Sequence, residues 1–125
     1  MDHPVDLMYT REHCWILLED DTAYIGITDF AQNELGEILF VELPEAGAWF
    51  DQGDVFAEVE SARTTWEFPC PLSGEVLEVN SDLDDAPENI NEDPYENWII
   101  KLIVDDPEET EDLIDADQYE ACLEE

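Results

Sequence analysis

The fold is decided by one stretch of the chain, Val55-Phe56-Ala57-Glu58-Val59-Glu60-Ser61-Ala62-Arg63-Thr64-Thr65-Trp66-Glu67-Phe68. Residues 55–59 are rich in β-branched and aromatic side chains, which predicts a strand. Residues 66–68 predict a returning strand, and the polar segment between the two runs predicts a hairpin tip. Arg63 stands at this tip and is one of only three basic residues in the chain. The tip is therefore a candidate functional site.

Further strands are predicted on both sides of this hairpin. An apolar-rich run indicates a strand at residues 14–18, and alternating apolar residues indicate another at 22–28, so the two form a second hairpin. A short helix is expected over residues 30–35, capped by Thr28 or Asp29 and ended by Gly36. Additional strands are predicted at residues 37–43, 75–79 and 98–104. Residues 80–94 form a long acidic connection with one helical turn near residues 81–85.

The last part of the chain differs in composition. Residues 105–125 contain eleven acidic residues and no basic one. Pro107 suits the first turn of a helix, and the apolar residues of this segment are spaced for one helical face: Leu113, Ile114, Tyr119 and Leu123. The pattern predicts one domain over residues 1–125, with a β core at about 7–104 and an acidic helical tail at 105–125. The fold class expected is mainly β with short helices.

The net charge restricts the possible partners. The chain has 125 residues, of which 36 are Asp or Glu and 3 are Lys or Arg, giving a net charge of −33. Such a surface repels phosphate backbones and anionic lipids, so we expect neither nucleic-acid binding nor membrane binding. Basic protein partners and a salt-rich cytoplasm are both compatible with it. The alternative is that the acids only form a solvated shell. We expect a monomer, since copies of the chain repel one another.

Cysteine usage and the first residues suggest a compartment. Cys14, Cys70 and Cys122 are odd in number and lack metal-site spacing, so they are read as free thiols in a reducing cytoplasm, and no metal site is expected. Residues 1–8 show no basic segment followed by an apolar one, so no signal peptide is expected.

No catalytic constellation is recognisable. Of the two histidines, His3 is expected in a frayed terminus, and His13 has no nucleophile that the sequence places beside it. The five glycines are scattered and form no phosphate-binding loop. Carboxylates are too numerous for any pair to be diagnostic. We therefore expect a carrier or binding protein and not an enzyme.

Ordered sequence blocks resemble those of the glycine cleavage system H protein family and span almost the whole chain. The blocks include Tyr9-Thr10-Arg11-Glu12-His13-Cys14-Trp15, Gly26-Ile27-Thr28-Asp29-Phe30-Ala31-Gln32, Phe40-Val41-Glu42-Leu43-Pro44, Val59-Glu60-Ser61, Pro71-Leu72-Ser73-Gly74-Glu75-Val76 and Trp98-Ile99-Ile100-Lys101. This resemblance implies a lipoyl-domain fold, a barrel-sandwich hybrid of two small sheets with helices added at the C-terminal end.

The resemblance also implies a role. H proteins carry lipoate on a lysine at a hairpin tip. The lipoyl arm collects an aminomethyl group from glycine decarboxylase and delivers it to the tetrahydrofolate-dependent aminomethyltransferase. Dihydrolipoyl dehydrogenase then reoxidises the arm. The implied partners are these three enzymes or lipoate-protein ligase, and the H protein itself is a shuttle.

The chain departs from the family at the residue that carries lipoate. The family motif reads Glu-Ser-Val-Lys-Ala, whereas this chain has Glu60-Ser61-Ala62-Arg63-Thr64. A guanidinium stays protonated and delocalised, so it does not attack an activated acyl group as a neutral amine does. We therefore expect no lipoate on this chain. Glu60 and Ser61 retain the part of the motif that lipoate-attaching enzymes recognise in the family; alternatively, Glu60 is a solvated acid at a strand end.

A second departure concerns the pocket that shelters the loaded arm. The family has glutamate where Cys14 stands, and the resemblance places that acid near the amine of the arm. Glu12 or Glu67 is a candidate to replace it. Trp66, beside the tip, is either a partner anchor or an ordinary strand residue. Lys101 is the only lysine in the chain, and it lies in a block where the family also has lysine.

Two functional hypotheses remain open from the sequence. In the first, the chain is the glycine cleavage carrier of its organism, and an unidentified group restores the chemistry. In the second, it is a lipoate-free paralogue that acts as an interaction or regulatory module for glycine cleavage or lipoate-handling enzymes.

The charge predicts that folding depends on salt. We expect the melting temperature to rise when potassium chloride is increased from about 0.05 M to about 2 M, because salt screens repulsion among the carboxylates. Thermal unfolding followed by circular dichroism checks this. An unchanged melting temperature would show that self-repulsion does not limit the stability of the fold.

Overall fold

The computed structural model describes residues 3–123, and this part of the chain contains nine strands and five helical segments. The strands are β1 Met8–Tyr9, β2 Cys14–Glu19, β3 Thr22–Ile27, β4 Ile38–Glu42, β5 Trp49–Phe50, β6 Val55–Ser61, β7 Thr65–Pro69, β8 Gly74–Val79 and β9 Ile100–Val104. The helices are α1 Asp29–Leu35, α2 Asp82–Asp85, α3 Asn89–Glu92 and α4 Ala116–Leu123, with a 3-10 helix at Pro107–Asp112.

Two antiparallel sheets carry the fold. The larger has the strand order β1-β2-β3-β9-β8-β5, and the smaller has the order β4-β6-β7. The main core lies between them and is completed by residues from α1, α2 and α3. The prediction of a mainly β fold with short helices is thus confirmed.

The alternation of side chains in β2 and β3 explains how the larger sheet is covered on both faces. Successive residues of a strand point to opposite faces. Cys14 and Ile16 therefore enter the main core, whereas Trp15 joins a second apolar cluster on the outer face. That second cluster also contains Tyr9 and Tyr119, so it holds the start of the chain and α4 against the sheet.

The two hairpins and the first helix form as the sequence predicts. Residue Cys14 pairs with Ile27 in the β2–β3 hairpin. The Thr28 hydroxyl caps α1 by accepting a hydrogen bond from the Ala31 N–H at 3.2 Å. Gly36 ends this helix with a φ of +79°, a conformation that suits glycine.

The tail differs from the helical prediction in its middle. Leu113 and Ile114 lie outside any helix, between the 3-10 helix and α4. Ile114 instead forms an antiparallel bridge to Tyr9, with backbone hydrogen bonds of 2.9 and 2.8 Å. Because these bonds use the N–H and C=O of Ile114, the same groups are not available to a helix. Residues 124 and 125 of the predicted tail lie outside the described part of the chain.

His3 also differs from its prediction as a frayed residue. Its ring is buried and packs edge-on against Tyr9 and Tyr119, at centroid distances of 6.2 and 5.1 Å. The His3 Nδ1 atom lies 3.3 Å from a carboxylate oxygen of Glu120. No local pattern indicates the contacts of His3 with Tyr119 and Glu120, because both of these residues lie more than a hundred positions away in the chain. In addition, the 80–94 connection contains α3 as well as the predicted turn at α2.

Close packing at Gly74 generates a test of the sheet. A Cβ atom at Gly74 would overlap the Ile103 carbonyl oxygen and would lie 3.0 Å from Leu102 Cγ. Because the obstacle is backbone, we expect Gly74→Ala to lower the free energy of unfolding by about 2–3 kcal/mol. Gly53→Ala is the matched control: its Cβ would meet nothing within 4 Å at a φ of +96°. We expect it to cost about 1 kcal/mol, from the backbone conformation alone.

Urea denaturation of both variants measures the two costs. If both variants lose the same unfolding free energy, β8 and β9 can move apart at Gly74 without an additional energetic cost.

Candidate functional site

The tip of the β6–β7 hairpin is held in one conformation by Ser61. The Ser61 hydroxyl accepts hydrogen bonds from the backbone N–H of Arg63 at 3.2 Å and of Thr64 at 3.1 Å. It also donates to the Thr64 carbonyl oxygen at 3.0 Å, and the Ser61 N–H reaches the same oxygen at 2.8 Å. Ser61 is buried. These hydrogen bonds make Ser61 the residue that closes the tip, whereas the Glu60 side chain is exposed at the surface.

Arg63 is exposed but folds back onto the end of α1. One of its terminal guanidinium nitrogens donates to the Glu34 carbonyl oxygen at 3.4 Å. Its Nε lies 3.1 Å from the point where a Cβ on Gly36 would stand, so the absence of a side chain at Gly36 leaves room for it. The last turn of α1 has no basic residue of its own. Arg63 thus supplies a cation to the negative end of that helix dipole.

An aromatic group lies beside the tip. The His13 ring is 4.8 Å from Phe30 on α1 and 6.0 Å from Trp66 on β7, measured between centroids. Trp66 is half-buried and packs against the main core. This contact favours a packing role for Trp66 over that of a free anchor.

Tyr119 connects α4 to this group. The Tyr119 oxygen is 2.7 Å from His13 Nδ1 and 2.8 Å from the Thr28 hydroxyl. A consistent set of donors has Thr28 donating to Tyr119 and Tyr119 donating to a neutral His13. Burial lowers the pKa of His13, and the nearby carboxylates of Glu12 and Glu34 oppose that shift only in part. Burial also raises the pKa of Tyr119, so both groups are neutral near pH 7.

The three residues suggested for an arm pocket lie in different environments. Glu12 lines a cleft of about 270 Å³ that also has Arg11, Gln52, Cys70 and Asp112 in its walls. Cys14 is fully buried in the main core and is not among the residues lining that cleft. Glu67 is exposed on β7. Of the three, only Glu12 therefore offers a carboxylate to this cleft.

Neither core thiol has nucleophilic character. Burial raises the pKa of Cys14 well above its ordinary value. Burial likewise raises the pKa of Cys70 to about 11, and its thiol donates to the Leu72 carbonyl oxygen at 3.1 Å. The thiolate is the reactive form of cysteine, so both side chains act as apolar filling at neutral pH.

The hairpin tip lacks the amine nucleophile that lipoate attachment would require. An amide forms on a neutral amine, and Arg63 presents a guanidinium instead. Lys101 lies in the larger sheet, where its Nζ donates to the Tyr24 hydroxyl at 3.2 Å. Among residues 3–123, no three His, Cys, Asp or Glu side chains cluster as a metal site would require. No helix in the same range is long and apolar enough to span a membrane.

Several residues around the tip were not identified from the sequence. Gly36 and Arg63 are in contact although they are 27 positions apart in the sequence, and Tyr119 and His13 are 106 positions apart. No local pattern encodes such pairs. The one available signal is residue type, since a buried Tyr or His side chain needs a hydrogen-bond partner.

The network at His13 predicts a pH dependence. Its folded pKa is lowered from 6.5, so below that pH the unfolded chain binds a proton that the folded chain resists. Stability from this group is therefore present above pH 6.5 and is lost as the pH falls through the lowered value. We expect the stability advantage of the wild type over His13→Asn to shrink between about pH 7.5 and about pH 5.5.

Asn is the chosen replacement because it tolerates the φ of +75° at this position. Urea denaturation of both proteins across the pH range gives the difference. If the stability difference between the two proteins does not change with pH, burial does not lower the pKa of His13.

Comparison with known proteins agrees with this geometry. The family model described as glycine cleavage H-protein matches residues 7–125. The chain is 50% identical to the glycine cleavage system H protein of Brevibacillus brevis, with 100% of both chains covered. It is 51% identical to the probable glycine cleavage system H protein of Thermococcus gammatolerans, covering 94% of this chain and 90% of the relative.

A solved structure gives the same result for the fold. The crystal structure of a glycine cleavage system H protein from Mycobacterium marinum matches with a TM-score of 0.86 at 32% identity, covering 98% of this chain and 99% of that one. The two sheets and their short helices are therefore the lipoyl-domain fold of H proteins. On both sequence and structure, this chain belongs to the glycine cleavage H-protein family.

Proposed function

We propose that this chain is a lipoate-free member of the H-protein family that acts as an interaction or regulatory module. H proteins are the carrier component of the glycine cleavage system and are not catalysts by themselves. They work with glycine decarboxylase, aminomethyltransferase and dihydrolipoyl dehydrogenase. The role proposed here keeps the fold and the partner surface of that carrier and omits its prosthetic group.

The observation that carries the proposal is Arg63 at the hairpin tip. We infer that Arg63 stands at the position of the lipoyl lysine, because its spacing from the Pro71 and Ser73-Gly74 block resembles that of the family motif. Attachment requires a neutral amine to attack an activated lipoyl carbonyl, with release of the activating group and a proton. The Arg63 guanidinium holds its proton and delocalises its lone pairs, so the residue present does not fit lipoate.

The single lysine of the chain is not placed to substitute for Arg63. Lys101 is the only lysine in the chain, and it lies in the middle of the larger sheet, away from the β6–β7 hairpin. Its Nζ lies 4.7 Å from the centroid of the Tyr24 ring. Lys101 therefore has a local role in the sheet, as a cation over an aromatic face.

The remaining features of the proposal follow from charge and cysteine chemistry. Cys14, Cys70 and Cys122 are free thiols, which supports a cytoplasmic location. The net charge of −33 favours a monomer, because copies of the chain repel one another. The length of 125 residues favours a single domain. The same charge favours partners with basic surfaces.

Enzymatic lipoylation tests the proposal. Purified protein is incubated with lipoate-protein ligase, ATP and lipoate, and its intact mass is measured. We expect no added lipoyl group on the wild type, whereas Arg63→Lys gains one because Glu60, Ser61 and the hairpin length remain. Lys101→Arg in the Arg63→Lys background is the matched control and should also gain one lipoyl group.

The outcomes separate the two hypotheses. A lipoyl adduct on the wild type would overturn the proposal in favour of the carrier. If the folded Arg63→Lys variant also stays unmodified, the recognition surface has been lost as well, at Thr64, Thr65 or Trp66, and the lipoate-free role is strengthened.

A further inference from the structure

The outer face of the smaller sheet combines exposed apolar residues with an ordered row of carboxylates. In the β4-β6-β7 sheet, Glu42 pairs with Glu58, and Glu58 pairs with Glu67. The three side chains thus form one row across three strands. In the next row towards the tip, Glu60 lies between Phe40 and Thr65. We call these two rows the β4-β6-β7 face.

This arrangement costs stability within the protein itself. Like charges directly opposite each other in an antiparallel pair are destabilising. Glu58 has a glutamate on each side, and among residues 3–123 no lysine or arginine forms an ion pair with Glu42, Glu58 or Glu67. The row is therefore not neutralised by the described part of the chain.

General surface acidity does not explain the row. On the larger sheet, Glu78 pairs with Lys101, Glu75 pairs with Ile103 and Trp49, and Glu19 pairs with Thr22. Within the described strands, glutamates face each other only in the smaller sheet. The larger sheet carries its acids without a cross-strand repulsion, so the row on the smaller sheet is a specific feature.

Apolar surface flanks the row at both ends. Towards the tip, Phe40 is 51% exposed and Leu39, at a bulge in β4, is 53% exposed. Towards the other end, Val55 is 47% exposed and lines a cleft of about 250 Å³ with Phe50 and other apolar residues, rimmed by Glu42 and Glu58. Large aromatic side chains that are half-exposed at such positions are typical of interface anchors.

We propose that the β4-β6-β7 face is a docking surface for a protein that presents arginine or lysine side chains beside an apolar pocket. Neighbouring strands are about 4.8 Å apart, so the row offers three carboxylates over about 10 Å. A second copy of this chain would bring like charge onto like charge, and nucleic acids or anionic lipids would do the same. A cationic protein surface relieves the repulsion at Glu58 and covers Phe40. This inference rests on the proposed role as an interaction module and identifies its surface.

The test measures binding and folding in the same variants. The glycine decarboxylase and the aminomethyltransferase of the same organism are purified as probes, and their affinity for the full chain is measured by calorimetry. We expect Phe40→Ser and Glu58→Gln each to weaken the complex by about tenfold or more, as loss of an anchor does. We also expect Glu58→Gln to raise the melting temperature of the free protein, because it removes two like-charge pairs.

Matched controls come from the larger sheet. Leu77 is 47% exposed on β8, and Glu75 is exposed on the same strand. Leu77→Ser and Glu75→Gln change the same kinds of group as the test variants, and we expect them to leave the affinity within about twofold of the wild type.

Each result decides between the two proposals. If a probe binds, but Phe40→Ser and Glu58→Gln bind as the wild type does, the docking surface is wrong and the module role stands. If the larger-sheet controls weaken binding equally, attraction is non-specific and the docking surface is again wrong. If neither enzyme binds the wild type, the docking surface is wrong and so is a module role that acts on these two enzymes.

Discussion

The pairing of β6 with β7, closed at its tip by the Ser61 hydroxyl, is the constraint on which the rest of the site depends. A shift of one residue would move every side chain of the hairpin to the opposite face. The Ser61 hydroxyl opposes that shift, because it accepts hydrogen bonds from the N–H groups of Arg63 and Thr64 and donates one to the Thr64 carbonyl oxygen. The same register places Val59 in the core, Glu58 opposite Glu67, and Arg63 over the end of α1.

The three cations of this chain bind neutral acceptors within the described structure. Arg63 donates to the Glu34 carbonyl, Lys101 to the Tyr24 hydroxyl, and Arg11 to the Cys122 sulfur at 2.8 Å. Exposed ion pairs contribute little to stability, and the carboxylates are well hydrated at the surface. The cations therefore form local hydrogen bonds and do not neutralise the carboxylates. The acidic surface remains available to salt ions and to partner proteins.

Local patterns in the sequence predicted the elements, and the resemblance predicted the architecture. The helix α1 was predictable because Thr28 and Gly36 are standard signals at its two ends. The tail was predicted less well: Ile114 has a helical spacing but pairs with Tyr9, because tertiary hydrogen bonds override local preference. The burial of Cys14 and Cys70 agrees with the tendency of free cysteines to act as small apolar core residues.

At the candidate site, the sequence identified the chemistry of Arg63 but not its neighbours. The guanidinium and its lack of acyl reactivity follow from residue type alone. Its contact with Gly36 and the link from Tyr119 to His13 depend on segments that meet only in the folded chain. The glutamate row was likewise hidden, because cross-strand partners are set by register and not by composition.

The burial of His3 against Tyr119 brings the two ends of the described chain together. Together with the Tyr9–Ile114 bridge, this contact joins the first and last described segments non-covalently. A chain of this form is suited to circular permutation: a short linker joins the ends, and new ends are opened at an exposed turn. Opening it at the turn around Gly47 would leave the β6–β7 hairpin uncut, so the tip could be studied with both original ends fused.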